Sequence, residues 1–243
     1  MNSDWRISGD SMKLIYRGKA KDVYELDEDR VLIEFRDDLT AGDGAKKATK
    51  EGKGQLNAEI SARFMELLSK NGIPTHFIKF EKPNRHVAKK VEIIRVEVIC
   101  RNFATGSFVR RYPFKDGQEL SPHVVEFGFK SDEYHDPMIN EDIALALKLV
   151  SSEEEMKEMK RITLKVNDIL SEFLLKKDII LVDFKLEFGY KGDGKLILAD
   201  EISPDTCRFW DAETREIMDK DRFRRDLGDV LHFYREVKRR IEK

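Results

Sequence analysis

The periodicity of apolar residues predicts a mixed α+β protein, and three features of the sequence carry that prediction. The segment from Lys13 to Phe35 reads as three short strands separated by polar turns. Apolar residues recur at helical spacing from Leu56 to Leu68 and again from Met156 to Phe173. The stretch from Leu181 to Asp211 alternates apolar with charged residues and contains the glycines of a hairpin turn. We therefore expect a β-rich N-terminal part followed by a part that contains both strands and helices.

The size and composition of the chain suit one large domain or two small lobes. It has 243 residues, of which 40% are hydrophobic, enough for a sizeable core. Its 45 basic and 47 acidic residues give a net charge of -2, so no overall field favours nucleic acid or an acidic membrane. Cys100 and Cys207 form no C-x-x-C pair, which is typical of a reduced cytoplasmic protein without a zinc site. Because neither a signal-peptide core nor ~20 consecutive apolar residues occur, we expect neither export nor membrane insertion.

The first hairpin turn is a candidate phosphate site. Its sequence, Arg17-Gly18-Lys19-Ala20-Lys21, combines small residues, which let a ligand approach the backbone, with cations that attract phosphate oxygens. It is not a P-loop, because no G-x-x-x-x-G-K-[ST] pattern is present. A solvated basic hairpin tip is the alternative, and the turn alone does not decide between the two.

A polar loop and a basic segment follow the third strand. The loop runs from Phe35 to Gly44, and the basic segment contains Lys46, Lys47, Lys50 and Lys53 next to two glycines. We expect this segment to be mobile. It could close over an anionic substrate as a lid or remain an exposed loop, and the sequence favours neither.

Further helices and strands follow in order. The helix from Leu56 to Leu68 is expected to stop at Asn71-Gly72. Strands are expected from Thr75 to Phe80 and from His86 to Lys90, around a Pro83-Asn84 turn. The segment that begins at Val91 reads as a connector between two lobes that leads into a new strand.

Three more helices are predicted in the second part. Asn140 is placed to cap a helix from Glu141 to Val150. Ser152 and Glu155 form the pattern of a capping box that opens the next helix. The last helix is expected from Asp219 to Ile241, because one apolar stripe runs through that range.

The hairpin between Leu181 and Asp211 collects charged residues that suit a metal. With a turn near Gly192-Asp193, Lys185 lies opposite Asp200 and Glu187 lies one position along. Two carboxylates and a lysine then share one patch, which suits Mg²⁺ because that ion takes few protein ligands and borrows phosphate oxygens. A solvated face with a cross-strand salt bridge is the alternative. The first strand places apolar residues on one face and charged residues on the other: Val182, Phe184, Leu186 and Phe188 against Asp183, Lys185 and Glu187.

The segment after the hairpin carries a family resemblance. Ser203-Pro204-Asp205 forms a turn, and the rigid fork of Arg208 behind it matches a phosphate or carboxylate, although a neutralising role beside the carboxylates would also explain it. DFKLEFG (183–189) and ADEISPDTCRFWD (199–211) resemble SAICAR synthetases, also called phosphoribosylaminoimidazole-succinocarboxamide synthases. RGKAK, AGDG, the VE…RN-x-A-x-G-S run and DPMINE extend the resemblance in family order over roughly residues 13–241.

The resemblance implies a fold and a reaction. The fold is two-lobed and SAICAR synthetase-like, related to ATP-grasp and kinase folds, with an antiparallel β-rich lobe at residues 1–92 that covers the ATP phosphates. Residues 93–243 form the larger α+β lobe with the metal and ribonucleotide site. The implied activity is a ligase that joins L-aspartate to the carboxylate of CAIR, an aminoimidazole ribonucleotide, and releases SAICAR, ADP and phosphate. A cytoplasmic homodimer is implied as well.

The resemblance also implies roles for single residues. Two positions differ from the usual family pattern: Thr40 replaces a serine before AGDG, and Arg95 stands where proline is common. The implied ATP-binding residues are Lys19, Ala20, Lys21, Lys130, Glu187 and Asp200, of which Glu187 and Asp200 also bind Mg²⁺. The implied residues that orient the reacting carboxylate are Asp183 and Lys185. The implied substrate-binding residues are Asp43, Arg101, Ser107, Asp136 and Arg208.

Two other functions remain open at the level of sequence. A D-x-K strand followed by a metal aspartate also fits a kinase of a small polyol or inositol phosphate, which would need no aspartate. A silent nucleotide-binding module, or a nucleic-acid binder that uses residues 46–53, is the alternative from another class. The presence of Glu187 and Asp200 argues against a catalytically silent module, and the balanced charge argues against a nucleic-acid binder.

Overall fold

The computed structural model describes residues 12–41 and 44–243, which form two larger antiparallel sheets, a small hairpin and six helices. The strands are β1 (Leu14–Arg17), β2 (Lys21–Glu25), β3 (Arg30–Phe35), β4 (Asp38–Ala41), β5 (Lys46–Thr49), β6 (Phe77–Glu81), β7 (Arg85–Lys89), β8 (Val91–Phe103), β9 (Glu119–Phe129), β10 (Met138–Ile139), β11 (Ile179–Lys191), β12 (Leu196–Ala199) and β13 (Cys207–Asp211). The helices are α1 (Lys53–Lys70), α2 (Ser107–Arg111), α3 (Glu141–Ala146), α4 (Glu153–Leu175), α5 (Asp221–Arg224) and α6 (Val230–Glu242).

The first sheet contains the predicted three-stranded meander. Its strand order is β1-β2-β3-β7-β6, so β3 lies in the centre. The apolar residues Val31, Ile33 and Phe35 of β3 pack with Ala58 of α1 and Ala88 of β7. This small core fixes α1 against one face of the sheet, close to the first hairpin turn, which is the candidate phosphate site.

His86 is part of the packing between the first sheet and α1. Its ring lies 4.7 Å from the ring of Phe35 and 4.9 Å from that of Phe77, measured between centroids. Its Nε2 atom lies 2.7 Å from the carbonyl oxygen of Ala58. Burial lowers the pKa of His86 to about 3, so the ring is neutral at physiological pH and Nε2–H donates to that carbonyl.

The second sheet is built around the long strands β8 and β11. The order is β10-β9-β8-β11-β12, and β13 pairs with the first half of β11 on the same edge as β12. The expected connector at Val91 is wrong, because Val91 already lies in β8 opposite Lys191 of β11. Only Lys90 separates β7 from β8. Apolar side chains alternate with polar ones from Val91 onwards, as is typical of a strand. Strand β8 therefore begins almost directly after β7, and no connector of several residues lies between them.

Helix α1 joins the cores of the two sheets. Ala58 faces the first sheet, whereas Ile60, Phe64 and Leu68 belong to the main core with α4 and the apolar face of β11. Within the described residues, none of the helices combines the length and apolar character that crossing a membrane requires. Cys100 and Cys207 are both buried and unpaired.

The predicted helix caps are present, and one predicted helix is shorter. The Asn140 side chain accepts a hydrogen bond from the backbone N–H of Ile143, and Ser152 accepts one from Glu155. Helix α3 ends at Ala146 and not at Val150, because Lys148 has a left-handed backbone (φ 54°).

The expected single helix from Asp219 to Ile241 is wrong. The chain forms the short α5 and then a separate α6. Gly228 (φ 70°) and Asp229 (φ 52°) lie between them with left-handed backbones, which a right-handed helix cannot include. The apolar stripe continues across the break, and this is why spacing alone did not reveal it.

The basic segment before α1 is more firmly held than an exposed loop. Lys53 is the first residue of α1 and is 1% exposed. Its ammonium lies 2.7 Å from the carbonyl oxygen of Asp38 and 2.8 Å from Oδ2 of Asp205. Lys46 donates to the carbonyl oxygen of Phe223 at 2.6 Å. The expectation that Lys53 belongs to a mobile loop is therefore wrong.

Candidate active site

The register of the central hairpin differs by one residue from the predicted one. Glu187 of β11 lies opposite Ala199 of β12, because the turn is centred on Asp193. Lys185 therefore does not lie directly opposite Asp200. Several turn-forming residues adjoin one another here, so the sequence did not specify the centre of the turn.

The other edge of β11 faces β8. Asp183 is paired with Arg101, and Glu187 is paired with Glu97. The ammonium of Lys185 lies 2.6 Å from Oε1 of Glu97. Strand β8 thus supplies a guanidinium at one end and a carboxylate four residues earlier, next to the charged residues of β11.

Two consecutive carboxylates meet one lysine at the end of β12. Asp200 has a left-handed backbone (φ 60°), which interrupts the usual alternation of side chains along a strand. Asp200 and Glu201 consequently both form ion pairs with Lys21 of the first turn. Burial opposes ionisation of Asp200, but the ammonium groups of Lys21 and Lys130 lower its pKa to about 2.

Further lysines neutralise Glu187. Lys130 forms an ion pair with Glu187, and Lys185 lies 3.9 Å from its Oε1 atom. Burial and the neighbouring charge of Asp200 raise the pKa of Glu187. Burial opposes protonation of Lys185, but Glu97 and Glu187 raise its pKa overall. We call this group the lysine–carboxylate cluster; its members are Lys21, Lys130, Lys185, Glu97, Glu187, Asp200 and Glu201.

The lysine–carboxylate cluster fits a metal that takes few protein ligands. In residues 12–41 and 44–243, no three His, Cys, Asp or Glu side chains are arranged to hold a metal ion by themselves. Glu187 and Asp200 are close enough for Asp200 to raise the pKa of Glu187. Two carboxylates beside a basic turn match Mg²⁺, which takes its other ligands from water and phosphate oxygens.

A second group of charges lies at the other end of β11. Oδ2 of Asp183 lies 3.0 Å from Nη1 of Arg101 and 2.8 Å from Nη1 of Arg208. Nε of Arg208 lies 2.9 Å from Oδ2 of Asp221, which also forms an ion pair with Arg224. We call these five residues the arginine–aspartate cluster. Both clusters are attached to one strand, and their nearest members, Asp183 and Lys185, are two residues apart.

Known proteins show which family has this combination of motifs and fold. The SAICAR synthetase family model matches residues 14–241 of the chain. The chain belongs to the SAICAR synthetase family. The phosphoribosylaminoimidazole-succinocarboxamide synthase of Methanocaldococcus jannaschii is 57% identical over 227 residues, which is 93% of each chain. That of Methanopyrus kandleri is 56% identical over 231 residues, 94% of this chain and 93% of the relative. A solved SAICAR synthetase in complex with ADP has a TM-score of 0.91 at 50% identity, covering 93% of this chain and 96% of that chain.

The SAICAR synthetase motif RN-x-A-x-G-S leads into the arginine–aspartate cluster. A Cβ atom on Gly106 would lie 2.7 Å from Nη2 of Arg208, so glycine is what allows the guanidinium to lie against the backbone. Ser107 follows as the first residue of α2, and Arg225 donates to Oγ1 of Thr105 at 3.3 Å. The structure therefore brings three of the predicted substrate-binding residues, Arg101, Ser107 and Arg208, to one place.

The predicted phosphate turn is held rigid by an arginine. Arg36 donates from its guanidinium to the carbonyl oxygen of Lys19 at 3.0 Å and from its backbone N–H to that of Ala20 at 2.8 Å. The Lys19 side chain extends outward and pairs with Asp132 at 2.7 Å. Lys21 extends inward to the lysine–carboxylate cluster. The two lysines of the turn thus have different environments.

One predicted substrate residue, Asp136, joins neither cluster. Oδ1 of Asp136 accepts a hydrogen bond from the backbone N–H of Ser131 at 2.8 Å, which stabilises its own loop. Asp136 also has a left-handed backbone (φ 48°), as the turn before β10 requires. Asp43 lies outside the described residues.

Several charged residues of the two clusters were missed as site residues from sequence. Glu97 is one charge within the apolar alternation of β8, and that is a signal that could have found it. Glu201 follows a predicted metal ligand and was hidden by the expected side-chain alternation. Asp221 and Arg224 lie in a highly charged run that reads as the polar face of a helix, so only the fold identifies them.

Proposed function

We propose that the chain joins L-aspartate to the carboxylate of CAIR with ATP as co-substrate and releases SAICAR, ADP and phosphate in purine biosynthesis. The observation that carries this proposal is the placement of both charge clusters on β11. Asp183 belongs to one cluster and Lys185 to the other, and alternate residues of a strand lie on the same face, roughly 7 Å apart. A ribonucleotide with a phosphate at one end and a carboxylate at the other can contact both.

The lysine–carboxylate cluster is where we place the ATP phosphates. Lys19, Ala20 and Lys21 would cover the phosphates from the first sheet, and Lys130 would approach from the second. Glu187 and Asp200 would hold Mg²⁺, which neutralises phosphate charge when it is bound. The related SAICAR synthetase in complex with ADP supports nucleotide binding in this fold.

The arginine–aspartate cluster is where we place the ribonucleotide. The guanidinium groups of Arg101 and Arg208 present forked donors, and Ser107 adds a hydroxyl at the start of α2. Asp183 contacts both guanidinium groups, so it acts on the substrate by orienting them. Asp43 and Asp136 remain candidates for substrate binding on the family resemblance alone.

The proposed chemistry follows from the poor reactivity of a carboxylate as an acyl donor. An oxygen of the CAIR carboxylate attacks the γ-phosphorus of ATP, the bond to ADP breaks, and an acyl phosphate forms. The amine of aspartate then attacks the acyl carbon, and phosphate leaves with the former carboxylate oxygen. Lys185 would orient the carboxylate and offset its charge. The protein contributes positioning and electrostatics, and no side chain forms a covalent bond.

We also propose the coarser organisation that the family resemblance implies. Lobes at residues 1–92 and 93–243 are supported by the division of the two large sheets at Lys90. A homodimer is proposed from the resemblance. A cytoplasmic location is supported by two buried cysteines that are not paired with each other.

ADP release measured with each co-substrate tests the proposed function. We expect fast ADP release only when CAIR and L-aspartate are both present, with SAICAR formed in equal amount. A rate of ADP release that is the same with and without the two co-substrates would contradict a ligase. Release that needs a polyol and no aspartate would instead indicate a kinase.

A further inference from the structure

Lys21 is shared by two carboxylates that differ in their exposure to solvent. It forms ion pairs with Asp200 and with Glu201. The side chain of Asp200 is 19% exposed, whereas that of Glu201 is 4% exposed. A ligand can therefore reach Asp200 from solvent, whereas Glu201 is almost fully buried.

Glu201 is fixed by its neighbours in the turn. Its carbonyl oxygen accepts a hydrogen bond from Oγ1 of Thr206 at 3.2 Å. The next backbone N–H, that of Ile202, donates to Oγ of Ser61 in α1 at 3.3 Å. The peptide group between Glu201 and Ile202 is thus attached to the turn and to α1, which fixes the backbone from which the Glu201 side chain extends.

The carboxylate of Glu201 depends on Lys21 for its charge balance. Its Oε2 atom is buried and has no hydrogen-bond donor of ordinary geometry, and the ammonium of Lys21 lies in contact with it. A buried charge without a partner is strongly unfavourable. The ion pair between Lys21 and Glu201 is therefore expected to persist when other charges nearby change.

We propose that Glu201 is a positioning residue that retains Lys21 when Asp200 binds the metal, so that the shared ammonium becomes paired with Glu201 alone. This inference rests on the proposed function, because that function assigns Asp200 to Mg²⁺ and Lys21 to the phosphates. Without Glu201, the ammonium would have Asp200 as its carboxylate partner and would compete with the metal for it. With Glu201, the ammonium stays beside the phosphates and leaves Asp200 available.

Calorimetric binding of ADP with and without Mg²⁺ tests this inference. We expect Glu201→Gln to weaken binding of ADP in the presence of Mg²⁺ about tenfold and to leave binding of metal-free ADP no weaker than in the wild type. Glu201→Asp keeps the charge and should restore most of the affinity. Glu59→Gln is the matched control, because Glu59 also has a buried Oε2 and a lysine partner, Lys238 at 2.7 Å, but joins α1 to α6. It should change neither affinity.

A double mutant shows whether Glu201 acts through Lys21. In a Lys21→Met background, Glu201→Gln should change the Mg²⁺·ADP affinity less than twofold and should raise the melting temperature, because the buried carboxylate without a partner is removed. Equal weakening of both ADP forms by Glu201→Gln, or wild-type Mg²⁺·ADP affinity, would overturn the inference. The proposed function has its own test: it would be refuted if the wild-type rate of ADP release did not depend on CAIR and aspartate.

Discussion

Asp183 is neutralised by two guanidinium groups that meet at one of its oxygens. Arg101 and Arg208 approach Oδ2 at 3.0 and 2.8 Å, and Asp183 is only 4% exposed. A buried carboxylate needs such partners, since desolvation of an unpaired charge is costly. The pairing also fixes the direction of both guanidinium planes, and under the proposed function Asp183 would orient the substrate through them.

The proposed metal ligands give the first prediction at the scale of single residues. Asp200→Asn should lower turnover by orders of magnitude and leave the fold intact, because an amide replaces an anionic ligand of Mg²⁺. Glu187→Gln should act similarly, and the double mutant should lose less than the sum, because both residues act through one ion. Turnover is measured at saturating Mg²⁺.

The control for this prediction is Asp193→Asn. Asp193 lies in the exposed turn of the same hairpin, between Lys191 and Lys195. Its replacement should leave turnover close to wild type. Near-normal turnover of Asp200→Asn under the same conditions would exclude a metal role for that residue.

Arg208→Lys tests how the ribonucleotide is bound. Lysine keeps the charge but loses the fork that contacts Asp183 and Asp221 and that would hold the substrate phosphate. We expect the apparent affinity for CAIR to fall by about 1.5–3 kcal/mol, roughly ten- to hundredfold, with little change for ATP. CAIR is titrated at fixed ATP and aspartate, alongside a thermal melt.

Arg240→Lys is the matched control for Arg208→Lys. Arg240 also binds two carboxylates, Asp211 and Glu236, but on α6. It should lower the melting temperature without changing the apparent CAIR affinity. The same result for Arg208→Lys would mean that Arg208 is structural.

At the scale of elements, the close contact between α1 and β3 gives a stability prediction. A Cβ atom on Gly54 would lie 2.4 Å from the carbonyl oxygen of Phe35, whereas one on Gly192 would meet nothing within 4 Å. Gly54→Ala should therefore cost about 1–3 kcal/mol of unfolding free energy, since the helix must move away from the strand. Gly192→Ala should change stability little. The unfolding free energies of the two variants are compared by chemical denaturation. Equal values for Gly54→Ala and Gly192→Ala would contradict the packing described for α1.

Elements with strong local signals were predictable from sequence, and those that depend on the fold were not. The meander and the caps at Asn140 and Ser152 were confirmed, because they depend on residues a few positions apart. The register of the central hairpin was wrong because adjacent residues all favour turns. The break between α5 and α6 was missed because Gly228 interrupts the helix without interrupting the apolar stripe.

The same reasoning explains the candidate site. Lys185 and Glu187 were recognisable as charges on an alternating strand, and the family resemblance added Arg101 and Arg208. Which of these residues form ion pairs with one another could not be predicted, because many of the pairs join distant segments. Lys185 and Glu97, for example, are 88 residues apart in sequence.

At the scale of the whole molecule, hydrogen bonds around one buried lysine connect three parts of the chain. Lys53 of α1 binds the carbonyl oxygen of Asp38 and the carboxylate of Asp205, and Asp205 also accepts from the hydroxyl of Tyr234 in α6 at 2.7 Å. Burial opposes the ionisation of Asp205, but Lys53 lowers its pKa well below the usual range. The small hairpin, the turn that contains Asp205 and the C-terminal helix are thus held in one arrangement.

Global stability is predicted to fall in mild acid because of two buried histidines. Burial lowers the pKa of His86 to about 3 and that of His76 to about 4, below the unfolded value of ~6.5. Between these limits the unfolded chain binds more protons, so stability rises with pH and is lost as pH falls below ~6.5. His86→Gln should lower the slope of the unfolding free energy against pH by about 1.4 kcal/mol per pH unit. The slope is measured by chemical denaturation between pH 4.5 and 6. An unchanged slope would mean that His86 is protonated in the fold.

The fate of the CAIR carboxylate oxygen tests the central claim most directly. If the two clusters on β11 bring that carboxylate to the γ-phosphorus, the oxygen that attacks phosphorus must leave with phosphate after aspartate adds. CAIR labelled with ¹⁸O in its carboxylate should therefore give one ¹⁸O atom per phosphate released, as read by mass spectrometry. Unlabelled phosphate, formed together with SAICAR, would contradict activation of the carboxylate by phosphoryl transfer.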